Sequence, residues 1–133
     1  MRHADVEKFC LSLPGATLVV QWGDSRVFKV GVKVFALLSA AGDKPHAVWF
    51  KVSEDSFEIL TQDPLIVQAP YFAKRKWVCV TRLGALKAKE MQAYLARSHA
   101  LVAAGLTKKL QADLGLSSLS SPAEQARLRA AKG

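Results

Sequence analysis

Between Ala16 and Val52, short apolar-rich runs alternate with turn signals only a few residues long, and this spacing constrains the chain more than any other feature. Parallel strands need a crossover of about a dozen residues, whereas antiparallel strands can be joined by a two-residue turn. Residues 16–22 place Ala16, Leu18, Val20 and Trp22 on one face and Thr17, Val19 and Gln21 on the other. Both faces are rather apolar, which predicts a strand covered on more than one side. Gly23-Asp24-Ser25 turns into a second strand through Phe28 and Val30, Gly31 breaks it, and Lys33 to Leu38 supply a third. Residues 39–45 are rich in turn formers, and residues 47–52 form a fourth strand with Trp49 and Lys51 opposite Val48, Phe50 and Val52. A fifth spans residues 77–83, and residues 65–73, with Pro70, read as irregular.

Helical spacing brackets these strands. Val6, Phe9, Cys10 and Leu13 predict an amphipathic helix over about residues 3–13, ended by Pro14-Gly15. Ser53 is placed to cap a helix whose first turn holds Glu54 and Asp55 and whose inner face carries Phe57 and Leu60, before Asp63-Pro64 stops it. The clearest helix covers about residues 87–104, with Met91, Tyr94, Leu95, Ser98, Leu101 and Val102 in one stripe, no good side-chain cap at its start and Gly105 past its end. Leu110 and Leu114 suggest one further turn before Gly115. Ser121-Pro122-Ala123-Glu124 carries the start signals of a last helix whose only strong apolar residue is Leu128. The expected architecture is α/β of the α+β kind: a mainly antiparallel five-stranded sheet packed by helices. Residues 1–110 form the domain, and 111–133 a weakly packed helical extension.

At 133 residues the chain is long enough to bury a core without a disulfide or metal staple. Cys10 and Cys79 each sit among apolar neighbours and are expected to be buried thiols. The N-terminal stretch lacks a signal-peptide pattern and no apolar run approaches the roughly 20 residues of a membrane span, so a cytoplasmic protein without membrane association is expected.

Searching for chemistry returns little. His3, His46 and His99 are far apart and none stands at metal-ligand spacing; Glu54, Asp55 and Glu58 are explained by a helix start. No serine occupies a nucleophile elbow, and the glycines form neither a phosphate loop nor a dinucleotide fingerprint. No cofactor, no metal and no catalytic set are expected.

The strongest functional signal is charge. The formal net charge is +8, yet residues 1–70 hold seven Lys/Arg against eight Asp/Glu, whereas residues 71–109 hold nine against the single Glu90. Lys74-Arg75-Lys76 precedes Trp77, Arg82 follows the strand, and Lys87 and Lys89 open the long helix. Such side chains contact phosphates without reading bases. Trp77 alternates with its neighbours as a core residue would, while Tyr71 and Phe72 flank an irregular stretch. A run of three basic residues also serves simply as a solvated strand entrance, and Lys108-Lys109 can complement the carboxyl end of the long helix.

An ordered set of segments then carries a resemblance: Leu13-Pro14-Gly15-Ala16, Gln21-Trp22-Gly23, Gly31-Val32-Lys33-Val34-Phe35-Ala36, Phe50-Lys51-Val52, Ala69-Pro70-Tyr71, Lys76-Trp77-Val78 and Leu95-Ala96-Arg97-Ser98. Over about residues 3–110 the chain resembles the MmcQ/YjbR family of small bacterial proteins. The resemblance implies a fold like that of the secretion chaperones, also likened to frataxin, called a double wing. It also implies a DNA-binding role, and makes Trp22, Lys33, Lys51, Pro70, Tyr71, Trp77 and Ser98 counterparts of characteristic family residues. Family members commonly look like Ser-Tyr where this chain has Ser98-His99.

Charge and resemblance together point to a non-enzymatic protein that contacts the phosphate backbone of double-stranded DNA through Lys33, Lys51, Tyr71, Lys74, Arg75, Lys76, Arg82, Lys87 and Lys89. The alternative is an adaptor with a protein partner, docking through Leu110, Leu114 and Leu128.

Overall fold

The computed structural model describes residues 2–21, 24–39, 47–69 and 76–115. Trp22, His46, Pro70, Tyr71, Phe72, Lys74, Arg75 and the serine-rich extension with Leu128 lie outside the described residues. Six strands, β1 (Ala16–Gln21), β2 (Ser25–Val30), β3 (Lys33–Leu38), β4 (Val48–Lys51), β5 (Ile66–Gln68) and β6 (Trp77–Val80), form one sheet in the order β1-β2-β3-β4-β6-β5. Every neighbouring pair is antiparallel.

The sheet has one strand more than the five expected, because the stretch read as irregular contains β5. Three residues are too few to display an alternation. Pairing with β6 makes the strand instead, and just before it the Leu65 carbonyl accepts both the N–H and the hydroxyl of Thr81, at 2.8 and 2.7 Å. β1 also differs from expectation. It is an edge strand, and Val19 and Val20 are exposed rather than doubly covered.

Helix α1 (His3–Ser12) buries Val6 and Cys10, and its first turn is closed by the Asp5 carboxylate accepting the Arg2 N–H at 2.9 Å. Helix α2 (Glu54–Leu60) starts where Ser53 Oγ accepts the Ser56 N–H, and buries Phe57 and Leu60. Helix α3 (Ala88–Ala104) has no side-chain cap from its Ncap residue Lys87; the Glu90 carboxylate reaches back to the Lys87 N–H at 3.2 Å. Gly105 closes α3 in a right-handed conformation, so its place there does not depend on glycine's access to positive φ. The short helix α4 (Lys108–Asp113) is capped by Thr107 Oγ1, and Gln111 is buried with its amide donating to the Ala103 carbonyl at 2.8 Å.

Phe28, Val30, Ala36, Leu38, Val48, Phe50, Val78, Val80 and Ile66 meet Val6, Cys10, Met91, Leu95 and Val102 in the main core. A smaller cluster of Ala47, Ala69, Trp77 and Cys79, with Val34, Trp49 and Val67, lies on the opposite face. Between Phe28↔Ala36 and Lys29↔Val34 the register slips by one residue, leaving Phe35 as the extra residue of a β-bulge. The slip reverses the alternation along β3, so Phe35 and Ala36 both join the helix-side core while Val34 packs on the other face.

β2 and β3 are joined through Gly31 and Val32, with Gly31 at φ 63°. A Cβ at Gly31 would also stand 3.1 Å from Leu110 Cδ2 and 3.2 Å from Leu106 Cδ1. Gly31→Ala is therefore expected to lower stability by about 1–2 kcal/mol from backbone strain, with a further cost for displacing the leucines. Urea unfolding of the variant beside the parent checks this, and an unchanged midpoint would contradict it.

Candidate functional site

The antiparallel register decides which basic residues meet. Lys51 is the last residue of β4 and pairs with Trp77 at the start of β6; Lys76 immediately precedes Trp77, and Lys33 opens β3. The start of β3, the end of β4 and the start of β6 share one rim of the sheet. Lys33, Lys51 and Lys76 are therefore neighbours, although they are far apart in sequence.

Their electrostatics agree with this placement. Burial holds the half-buried Lys51 amine below the ordinary lysine range, and the nearby charges of Lys76 and Lys33 push it in the same direction. Both charges acting on it are cations. Lys33 is anchored by donating from Nζ to the Gly105 carbonyl at 3.3 Å, which makes it the cation at the carboxyl end of α3. Lys108 and Lys109, read from sequence as candidates for that place, instead lie in the first turn of α4. Lys76 is exposed.

Arg82, Lys87 and Lys89 are placed elsewhere. They follow β6 or begin α3, whereas Lys33 touches the end of α3, and at 1.5 Å rise per residue that helix is about 25 Å long. The basic residues thus occupy two separated groups. Tyr71, Lys74 and Arg75 lie outside the described residues, although Arg75 directly precedes Lys76 in the chain.

The rim is built on a buried bond that the sequence reading did not identify. Ser98, fully buried on α3, donates its hydroxyl to the Phe35 carbonyl at 2.6 Å and accepts the Lys51 N–H at 2.8 Å. The β3–β4 pairing runs as far as Ala36↔Phe50, and at the next position one hydroxyl bridges the carbonyl of β3 and the N–H of β4. The available signal was a serine inside an apolar helical stripe, because a buried hydroxyl needs partners.

His99, the next residue, is 2% exposed. Its Nε2 lies 2.7 Å from the Pro14 carbonyl, and because a carbonyl only accepts, Nε2 carries the proton. The ring meets Phe35 edge to face at 5.1 Å. The imidazole thereby fastens the α1–β1 turn to α3. Burial lowers the His99 pKa, with the Pro14 hydrogen bond acting in the opposite direction.

Among the described residues, no three of His, Cys, Asp and Glu form a group that could hold a metal ion, and no helix is long and apolar enough to cross a membrane. Cys10 lies in the main core, its thiol pushed up to about 12 by burial, and Cys79 lies in the cluster across the sheet. Leu110 and Leu114 pack against the core, so they do not supply the exposed apolar surface expected of an adaptor.

Comparison with known proteins agrees with this geometry. The YjbR family model matches residues 11–101, more than half of the chain. A crystal structure of a Deinococcus radiodurans protein with a DUF419 domain is similar at a TM-score of 0.76 and 29% identity, covering 86% of this chain and 88% of that one. A Pseudomonas syringae protein shares the fold at a TM-score of 0.62 and 24% identity, over 76% of this chain and 98% of that one. No curated protein matches.

Two outcomes follow. Ser98→Ala strips partners from a buried carbonyl and a part-buried N–H, and should lower stability by about 2–4 kcal/mol in denaturant unfolding; a loss below about 0.5 kcal/mol would contradict the bridge. For His99, the unfolded ring takes up its proton near 6.5 and the folded ring only at lower pH. Its contribution is therefore complete above about pH 6.5 and declines as the pH falls below that value. Unfolding free energies across this range should show that decline in the parent and a smaller one in His99→Tyr. Equal slopes would overturn the assignment.

Proposed function

The chain belongs to the YjbR family, and on that premise we propose that it is a non-enzymatic DNA-binding protein whose basic rim of Lys33, Lys51 and Lys76 contacts the phosphate backbone. Lys74 and Arg75 directly precede Lys76 in the chain, and Tyr71 lies three residues before Lys74. Arg82, Lys87 and Lys89 form a second, separate basic group.

The observation that carries this reading is the strand register, which brings the start of β3, the end of β4 and the start of β6 to one rim. Like charges along one rim raise the local positive potential, and an anion relieves it. Phosphate contacts fix position and affinity and carry no base sequence, so the expected binding is strongly salt-dependent and weakly selective. The family resemblance to DNA-binding proteins supports a nucleic acid over other polyanions.

Fluorescence anisotropy on a labelled duplex tests the reading. Lys33→Gln, Lys51→Gln and Lys76→Gln together should weaken binding at least about tenfold and flatten the salt dependence by up to about 0.9 per lost phosphate contact. The matching Arg82, Lys87 and Lys89 triple should weaken it much less. Absence of binding by the folded parent at low salt would reject DNA as the partner, and equal losses in the two triples would reject the rim.

A further inference from the structure

Arg97 precedes Ser98 on α3, and the bond from the Lys51 N–H to Ser98 Oγ, 2.8 Å long, brings this turn of the helix to the end of β4. Two ring contacts fix where the arginine goes. Tyr94 stacks on Phe50 with ring centres 5.9 Å apart and planes inclined by 20°, and the Arg97 guanidinium carbon lies 5.4 Å from the Tyr94 ring centre. Phe50 precedes Lys51 on β4 and faces the helices, so the guanidinium lies on the helix side of the rim. Lys33 is on that side as well, since its amine reaches the Gly105 carbonyl about two turns further along the same helix. Arg97 is exposed, and no carboxylate among the described residues pairs with it. A guanidinium seated on a ring loses little further freedom on binding, and its edge still carries the N–H fork that fits a phosphate.

We infer that Arg97 is a further phosphate-binding residue, held ready by Tyr94 and donating through two N–H groups to one phosphate of the duplex. This contact rests on the DNA-binding reading, and it places part of the nucleic-acid backbone on the helix side of the rim, beside Lys33. The two halves of the device separate chemically. Lysine at position 97 keeps the charge and loses the fork. Leucine at position 94 keeps both and removes the ring on which the guanidinium is seated.

The labelled duplex is the probe, titrated with the full chain and its variants across a range of salt. Arg97→Gln should weaken binding about fivefold and lower the salt slope by up to about 0.9. Arg97→Lys and Tyr94→Leu should each weaken it about two- to threefold while the slope stays at the parent's value, because the charge is kept. Lys89→Gln removes a charge from an exposed site near the start of the same helix and should change affinity much less. Near-UV circular dichroism checks that each variant is folded, and Arg97→Lys, at an exposed position, decides the matter if Tyr94→Leu is not. A folded parent that binds no duplex at low salt overturns the DNA-binding reading and this contact with it. A parent that binds, and is weakened by loss of Lys33, Lys51 and Lys76 but not by Arg97→Gln, overturns Arg97 alone. Equal losses in Arg97→Gln and Lys89→Gln overturn a specific contact in favour of general charge, and full affinity in Arg97→Lys overturns the two-bond fork.

Discussion

One hydroxyl connects the core of this protein to its candidate site. Ser98 satisfies the Phe35 carbonyl of β3 and the amide at the end of β4, and does so from within α3. A buried polar group without partners costs about 1–3 kcal/mol, so the helix has a preferred depth and rotation over the sheet. That placement carries Gly105 to the start of β3, where its carbonyl receives Lys33. The backbone of Lys51 is held by the same serine. The basic rim is therefore continuous with the packed interior.

Much of the architecture was legible because its signals are local. The Ser53 cap, the Lys33–Leu38 strand, the alternation along β4 and the long α3 stripe each depend on a few adjacent residues. β5 was not legible, since its three residues become a strand only by pairing with β6. The doubly covered reading of β1 failed for a related reason: apolarity on both faces of a strand does not reveal that the strand lies at an edge. The bulge at Phe35 was hidden too, because a one-residue slip belongs to a pair of strands rather than to either one.

The candidate site was legible in composition and not in arrangement. Counting charge along the chain placed the excess after residue 70, whereas two of the three rim lysines, Lys33 and Lys51, come from the acidic-balanced front region. Sheet order made them neighbours of Lys76 and separated Lys76 from Lys87, which is much closer to it in sequence. His99 is the reverse case. Its place beside the apolar stripe of α3 was visible at once, but its task, fastening the Pro14 carbonyl, depended on where α1 ended.

The two thiols have a consequence of their own. Cys10 lies beneath the helices and Cys79 on the far side of the sheet, so the sheet stands between them. An internal crosslink would require the layers to come apart, and oxidation is therefore a hazard of the opened chain. Because each thiol is shielded within a different layer, an alkylating reagent that reached one before the other would reveal which side of the molecule opens first. The pair is a built-in stopwatch for local opening, with one hand on each face.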